Sequence, residues 1–270
     1  MTKKRIYITG GSSGIGLGLA QYYANKGDDI VLLARDPVKL EAAIANCKLQ
    51  AIRSDQGITS ESVDITAYET LPLVMEQVMQ RHGKPDLLIL CAGVAGNKTF
   101  LDTSAAEFDR IVDINLAGSR EVARAVLPEM LERGSGQIAF VSSMAGLIGL
   151  YGYTAYSASK FAVAGMVQAL RQELLGSGVS VHVICPPEVN TPMIAAESES
   201  AIPQTRFLKD MIGTMEPEVA AQKIARALER RKSVVIPGVR ANIMVWCARH
   251  FPELFAKGSE VLLHWKFGRR

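Results

Sequence analysis

The run Tyr156-Ser-Ala-Ser-Lys160 holds the side chains best suited to proton transfer. On a helix, residues four apart share one face, so Tyr156 and Lys160 would look into the same site. A tyrosine hydroxyl has an ordinary pKa of about 10, and it exchanges protons near neutrality only if that value falls. A nearby ammonium favours the phenolate, and a shift of about three units corresponds to roughly 4 kcal/mol. Lys160 is spaced to supply part of that. Ser143 closes the run Ala139-Phe-Val-Ser-Ser143. At a strand end its hydroxyl can donate to a carbonyl oxygen as negative charge develops there. Taken singly, a YxxxK pair is usually a surface pair and a serine after a strand is usually a turn residue. Their order along the chain says more: a glycine turn, a serine ending a strand, then YxxxK opening the next helix.

The glycine turn is Thr9-Gly-Gly-Ser-Ser-Gly-Ile-Gly16. It joins a predicted strand, Arg5–Thr9, to a predicted helix, Gly14–Lys26. Glycines here admit unusual dihedrals and close approach of backbone to a pyrophosphate, and the helix start favours an anion. The spacing is neither GxGxxG nor a Walker GK[ST], and on spacing alone a tight turn without a ligand stays open.

Further strands are predicted at Asp29–Ala34, Ser62–Ile65, Asp86–Leu90, Gln137–Ser142, Ser180–Ile184 and Val234–Ile236. Helices are predicted at Pro37–Cys47, Ala67–Arg81, Ala105–Leu131, Ala155–Leu175 and Pro217–Arg230. This alternation implies an α/β fold, a doubly wound parallel (Rossmann) sheet of about seven strands with helices on both faces. Ligands bind such sheets beyond the carboxyl ends of the strands. Residues 1–270 read as a single Rossmann-type catalytic domain, with a substrate lid at about 187–215 and an apolar, basic C-terminal extension at about 239–270.

Composition narrows the function class. With 48% apolar and 21% charged residues, 270 residues can bury a large core. A net charge of +3 is too mild for a nucleic-acid partner. The four cysteines, Cys47, Cys91, Cys185 and Cys247, form no CxxC pair, so neither a disulfide framework nor a metal site is expected. No apolar segment precedes the first strand and no run approaches 18 apolar residues, so the expected location is cytoplasmic.

Strand two ends in Arg35-Asp36-Pro37. An acidic residue in this place bonds the ribose of NAD, whereas an arginine accommodates a 2′-phosphate. Asp36 before Pro37 is also a strong helix start. Arg35 has no such local duty and is either a phosphate ligand or a solvated surface cation.

With the TGxxxGxG turn, Ser143 and the YxxxK pair, residues Arg5 to about Pro237 resemble the short-chain dehydrogenase/reductase family. The resemblance implies hydride transfer between NADP(H) and a carbonyl or alcohol, with Ser143, Tyr156 and Lys160 catalytic and Asn115 the fourth member, holding a water behind Lys160. On its own, an interior helix asparagine would more often bond backbone at a bend. The resemblance also assigns cofactor contacts: Gly10, Ser13, Gly14, Ile15 and Gly16 at the phosphates; Arg35 at the 2′-phosphate, to which Ser12 is placed to add a hydroxyl contact; Asp64 and Ile65 at the adenine. Ala92 and Gly93 follow beside the ring, Val189 and Thr191 lie at the nicotinamide amide, and Tyr156 and Lys160 are at its ribose. Cys91 stands where the family has asparagine, and Pro187 where it has glycine.

Within the family the chain resembles the 3-ketodihydrosphingosine reductase branch, through Tyr-Ser-Ala-Ser-Lys-Phe-Ala, the preceding Gly-Leu-Ile-Gly-Leu-Tyr-Gly-Tyr-Thr-Ala, and Pro-Pro-x-x-x-Thr-Pro. That implies a long-chain sphingoid ketone as substrate, with Glu188 a candidate partner for its amine; a 3-oxoacyl or other lipid ketone is the competitor. The lid carries many aliphatic and methionine side chains, which would either cover a lipophilic substrate or complete the core. The tail, with Trp246, Phe251, Trp265 and six cations, would either pack on the lid or a partner subunit or lie on an anionic membrane. A homodimer or homotetramer is expected. A non-catalytic dinucleotide-binding regulator is the alternative from another class, and loss of Tyr156 or Lys160 would have favoured it.

Overall fold

The computed structural model describes residues 3–198 and 202–268. Seven strands, β1 (Arg5–Thr9), β2 (Asp29–Ala34), β3 (Ile58–Ser62), β4 (Leu87–Leu90), β5 (Gly136–Val141), β6 (Val179–Ile184) and β7 (Val234–Val235), form one parallel sheet in the order 3-2-1-4-5-6-7. The order reverses between β1 and β4, which opens a crevice beyond their carboxyl ends.

The alternation of strand side chains divides the core into two layers. Tyr7, Val31, Leu33, Leu88 and Phe140 face α3 (Leu71–His82), α5 (Ser119–Arg133) and α6 (Thr154–Glu173). Ile6, Ile8, Leu32 and Ile89 face α1 (Gly14–Ala24), α2 (Pro37–Leu49) and α9 (Pro217–Glu229). β4 is Leu-Leu-Ile-Leu and buried at every position, as a central strand covered on both sides must be.

Three expectations change. β3 ends at Ser62, before the apolar Val63–Ile65 that suggested a strand there. It is an edge strand with the mixed sequence Ile-Thr-Ser-Glu-Ser, and Val63 and Ile65 bury themselves only after leaving the sheet. The long helix expected over Ala105–Leu131 is α4 (Ala105–Val112), a π-helical segment over Asp113–Gly118, and then α5. Such bulges are often functional, and this one carries Asn115. Residues 67–70 make turns before α3 starts at Leu71, with Pro72 in its first turn.

The lid segment contains α7 (Pro192–Ser198) and α8 (Pro203–Ile212), and the tail forms α10 (Val239–His250) and α11 (Pro252–Phe267). The tail packs on the lid: the Phe267 ring lies 5.9 Å from that of Phe207, and Lys266 Nζ sits 3.7 Å over the Phe207 ring. Leu254, Val261 and Trp265, on the outer side of α11, stay exposed. The tail's Arg269 and Arg270 and the lid's residues 199–201 lie outside the described residues. Among the described residues no helix is long and apolar enough to cross a membrane, and no group of three His, Cys, Asp or Glu side chains is placed to hold a metal ion.

Candidate active site

The glycine turn leads from β1 into α1 at the crevice. Gly10 and Gly14 have φ of 66° and 53°, a left-handed backbone that disfavours other residues. A Cβ at Gly10 would stand 2.8 Å from the Ala92 backbone, and one at Gly14 would stand 2.9 Å from Thr191 Cγ2. The turn is therefore held bare by its neighbours. Ser13 is the N-cap of α1 yet makes no side-chain cap bond, and the first turn carries no acidic residue. The first N–H groups of α1 thus keep their donors for an anion at the crevice. This bare backbone cradle fits the pyrophosphate of a dinucleotide.

One cavity of about 210 Å³ joins that turn to the residues expected to do chemistry. Gly10, Ser12, Ser13, Gly14 and Ile15 line one end. Ala92 and Gly93 line its floor after β4, and Val189 and Thr191 line the side after β6. Ser143, Tyr156 and Lys160 close the other end. Cys91 is also on the wall; its backbone N–H donates to Thr9 Oγ1 at 3.1 Å, and burial pushes its thiol up to about 11, so it stays a neutral, small lining residue.

Lys160 is anchored from several directions. Its Nζ donates to the Val141 carbonyl oxygen at 3.0 Å, and its own carbonyl accepts from Ser142 Oγ at 2.8 Å. β5 therefore fixes the first turns of α6, and with them Tyr156. Lys160 is 4% exposed, and this burial lowers its pKa from 10.5 to about 8. The Tyr156 hydroxyl moves opposite to the sequence expectation: desolvation raises it from 10 to about 12, against a hydrogen bond from the Ser143 side chain. Burial outweighs any help from Lys160, whose Nζ is 5.7 Å from the Tyr156 ring centre.

Asn115 is 1% exposed and lies behind this pair. Its Oδ1 accepts from Val94 N–H at 2.8 Å, and its Nδ2 donates to the Val94 carbonyl oxygen at 2.9 Å and to Ser159 Oγ at 3.0 Å. A Cβ at Gly93 would meet both Asn115 Oδ1, at 2.9 Å, and Lys160 Nζ, at 3.4 Å. The π segment thus pins the strand-four turn against α6 next to Lys160.

Arg35, Asp64, Ile65 and Gly16 lie outside the cavity lining. Asp36 caps α2, accepting from Val38 and Lys39 N–H at 3.0 and 3.2 Å. Arg35 is exposed beside it. Asp64 accepts from Thr66 N–H and Oγ1; those bonds, with a smaller contribution from Arg35, hold its carboxyl below the usual carboxylate range. Ile65 is buried against Gly118 of the π segment.

Glu188, the candidate partner for a substrate amine, belongs to a polar lid cluster whose other members were missed from sequence. Glu188 has only 3% of its side chain exposed. It pairs with Lys209 of α8 and accepts from Thr214 Oγ1 at 2.9 Å. Lys209 also reaches Tyr153 Oη at 2.9 Å and Glu197 at 3.4 Å, and Tyr153 donates to Glu197 at 2.6 Å. The Tyr153 and Tyr156 rings are 5.3 Å apart. Nothing in the local sequence pattern links residues 153, 188, 197 and 209; only the fold of the lid does.

Comparison with known proteins settles the family. The short chain dehydrogenase model matches residues 4–201. The chain belongs to the short-chain dehydrogenase family. It is an oxidoreductase that uses a nicotinamide dinucleotide to interconvert CH–OH and C=O. It is 37% identical over 222 residues to the 3-ketodihydrosphingosine reductase of Bos taurus, covering 82% of this chain and 67% of that protein. Two solved structures are similar at 26% identity. A short chain dehydrogenase from Mycobacterium paratuberculosis bound to NAD has a TM-score of 0.77, covering 88% of this chain and 96% of that one. A variant of actinorhodin polyketide ketoreductase with NADPH has a TM-score of 0.78, covering 87% and 96%.

Proposed function

We propose that this chain reduces the ketone of a lipophilic substrate with NADPH, and that the substrate is 3-ketodihydrosphingosine, a long-chain amino ketone. The observation that carries the reading is the single cavity joining the glycine turn to Ser143, Tyr156 and Lys160 under an apolar lid. The substrate follows from the similarity to the bovine reductase.

When bound, the nicotinamide ring supplies the hydride to the ketone carbon. The remaining work belongs to this chain. Gly10, Ser13, Gly14, Ile15 and Gly16 hold the phosphates on the α1 N-terminus, and Ser12 adds a hydroxyl toward the 2′-phosphate. Asp64 and Ile65 flank the adenine, Ala92 and Gly93 leave room beside the cofactor, and Val189 and Thr191 fix the nicotinamide amide. Ser143 donates to the ketone oxygen, and Tyr156 Oη gives it a proton as charge develops. A hydroxyl with a pKa of about 12 is fully protonated at neutral pH, which suits an acid and therefore the reductive direction. Lys160 orients the cofactor ribose and resupplies the proton, and Asn115 positions the loop beside it. Arg35 takes the 2′-phosphate of NADPH; in support, Asp36 already spends its carboxylate on the α2 cap.

The chain acts as one catalytic unit, with residues 187–215 as lid. Phe161 and Leu131, exposed on α6 and α5, support a homodimer or homotetramer built on these helices. Exposed Leu254, Val261 and Trp265 beside Lys257 support peripheral contact of the tail with an anionic membrane. The deciding experiment is NADPH oxidation against a panel of long-chain ketones with and without a neighbouring amine. Turnover of the amino ketone is expected, and equal or better turnover of 3-oxoacyl chains would move the assignment to that substrate.

A further inference from the structure

A second cavity, of about 390 Å³, lies beside the first. Met144, Leu150 and Ile212 line both, so the two are neighbours across shared walls. The second is almost wholly apolar. Its far wall is the inner face of α11, where Phe255, Ser259, Leu262 and Leu263 recur at helical spacing. Leu208 and Met211 of α8 form its roof, and Met244 of α10 its end. All of these wall residues follow residue 201, where the match to the family model stops. The far side of the chamber is thus made by the part of this chain that the common family pattern does not describe, and the near side by Met144 to Tyr151 within it.

We infer that this chamber is the binding site for the hydrocarbon chain of the substrate, resting on the reductase reading above. Three features commit the occupant. The chamber continues from the ketone end of the catalytic cavity, so a ligand entering it is attached to the reacting group. Its side chains are mostly aliphatic, methionine and aromatic, which reward apolar surface, and none of them carries a charge. Of its two lining side chains with a hydroxyl, Tyr151 and Ser259, Ser259 turns its own back to the Ala256 carbonyl at 2.7 Å. α11 therefore serves as a ruler for chain length, and the tail is part of substrate recognition.

The test uses the full chain and a homologous series of unbranched alkyl ketones. Wild-type kcat/KM is expected to climb by about fourfold per added methylene until the chamber is full. Ser259→Phe places a ring in the chamber at the cost of one helix-internal hydrogen bond. It should leave the shortest ketones unaffected and stop the climb several carbons earlier. A flat wild-type profile with measurable turnover, or a Ser259→Phe variant that lowers all ketones equally, overturns the inference while the reductase reading stands. If no ketone is reduced with either nicotinamide, the reductase reading fails and the chamber is read by binding alone. A fluorescent polyene fatty acid should then bind wild type, be displaced by long-chain but not short-chain alcohols, and bind Leu208→Phe and Ser259→Phe at least tenfold more weakly. Equal binding by wild type and both variants, or no binding at all, rejects the chamber.

Discussion

Lys160 Nζ donates to the Val141 carbonyl oxygen at 3.0 Å and stands 5.7 Å from the centre of the Tyr156 ring. The lysine is tied to the end of β5, two residues before Ser143, and the tyrosine lies one turn earlier on the same helix face. With Lys160 near 8 and Tyr156 near 12, the pair at neutral pH is an ammonium beside a protonated phenol. That is the protonation state of a proton donor, which leads to the first expectation.

Tyr156→Phe keeps the ring and removes the proton. Turnover should fall by about two to four orders of magnitude, the usual scale for a general acid. Cofactor affinity should hardly change, because the ring still packs against Tyr153. Steady-state kinetics with a parallel NADPH titration reads both, and near-wild-type turnover would remove Tyr156 from the chemistry.

Lys160 makes ketone reduction pH-dependent. Below about 8 it is charged and can resupply Tyr156; above about 8 it is neutral and cannot. The reduction rate should therefore fall as pH rises through about 8, and Lys160→Met should lose that limb together with cofactor affinity. Stability runs the other way. The folded pKa lies below the unfolded value of about 10.4, so between about 8 and 10 the unfolded chain binds more protons and stability rises with pH. Urea unfolding at several pH values should show that rise in wild type and a smaller one in Lys160→Met.

Arg35 and Asp36 separate by function. Arg35→Ala should cost about 1.5–3 kcal/mol of NADPH binding, roughly a tenfold to 150-fold loss of preference over NADH. Asp36→Ala should leave the preference alone and lower stability by about 1 kcal/mol, through loss of the bonds to Val38 and Lys39. Competition kinetics and thermal melts distinguish the two, and NADH preferred by wild type would transfer the ribose role to Asp36.

Much of this site was legible because it is made of short-range pattern. The β1 turn and the YxxxK spacing state their geometry within a few residues, and Asp36 before Pro37 announces a cap that the structure contains. Other features depend on distant partners. β3 hid because an edge strand needs no apolar run, and the π segment at Asp113–Gly118 has nothing in its sequence to distinguish it from helix. The direction of the Tyr156 shift depends on how much chain covers it, which spacing does not encode. Glu188 was expected only as a partner for a substrate amine; its burial and its bonds to Lys209 and Thr214 were not legible, because those partners come from the far end of the lid.

That lid cluster gives the last expectation. Glu188 and Glu197, with side chains 3% and 9% exposed, both reach Lys209, and Arg206 lies 3.8 Å from Glu188. Glu188 also lines the catalytic cavity, so a cationic group of a substrate bound there would meet a carboxylate. The amine of an amino ketone held at Tyr156 would bring such a group there, one carbon from the carbonyl. Glu188→Gln and Glu197→Gln preserve shape and remove one charge each. Each should reduce kcat/KM for the amino ketone by about tenfold or more, the scale of a charge-assisted bond, and leave the matched ketone without the amine near its wild-type value. An equal fall for both substrates would mean that the cluster only anchors the lid. An unchanged ratio in both variants would take amine recognition away from these carboxylates and favour a neutral lipid ketone as the natural substrate.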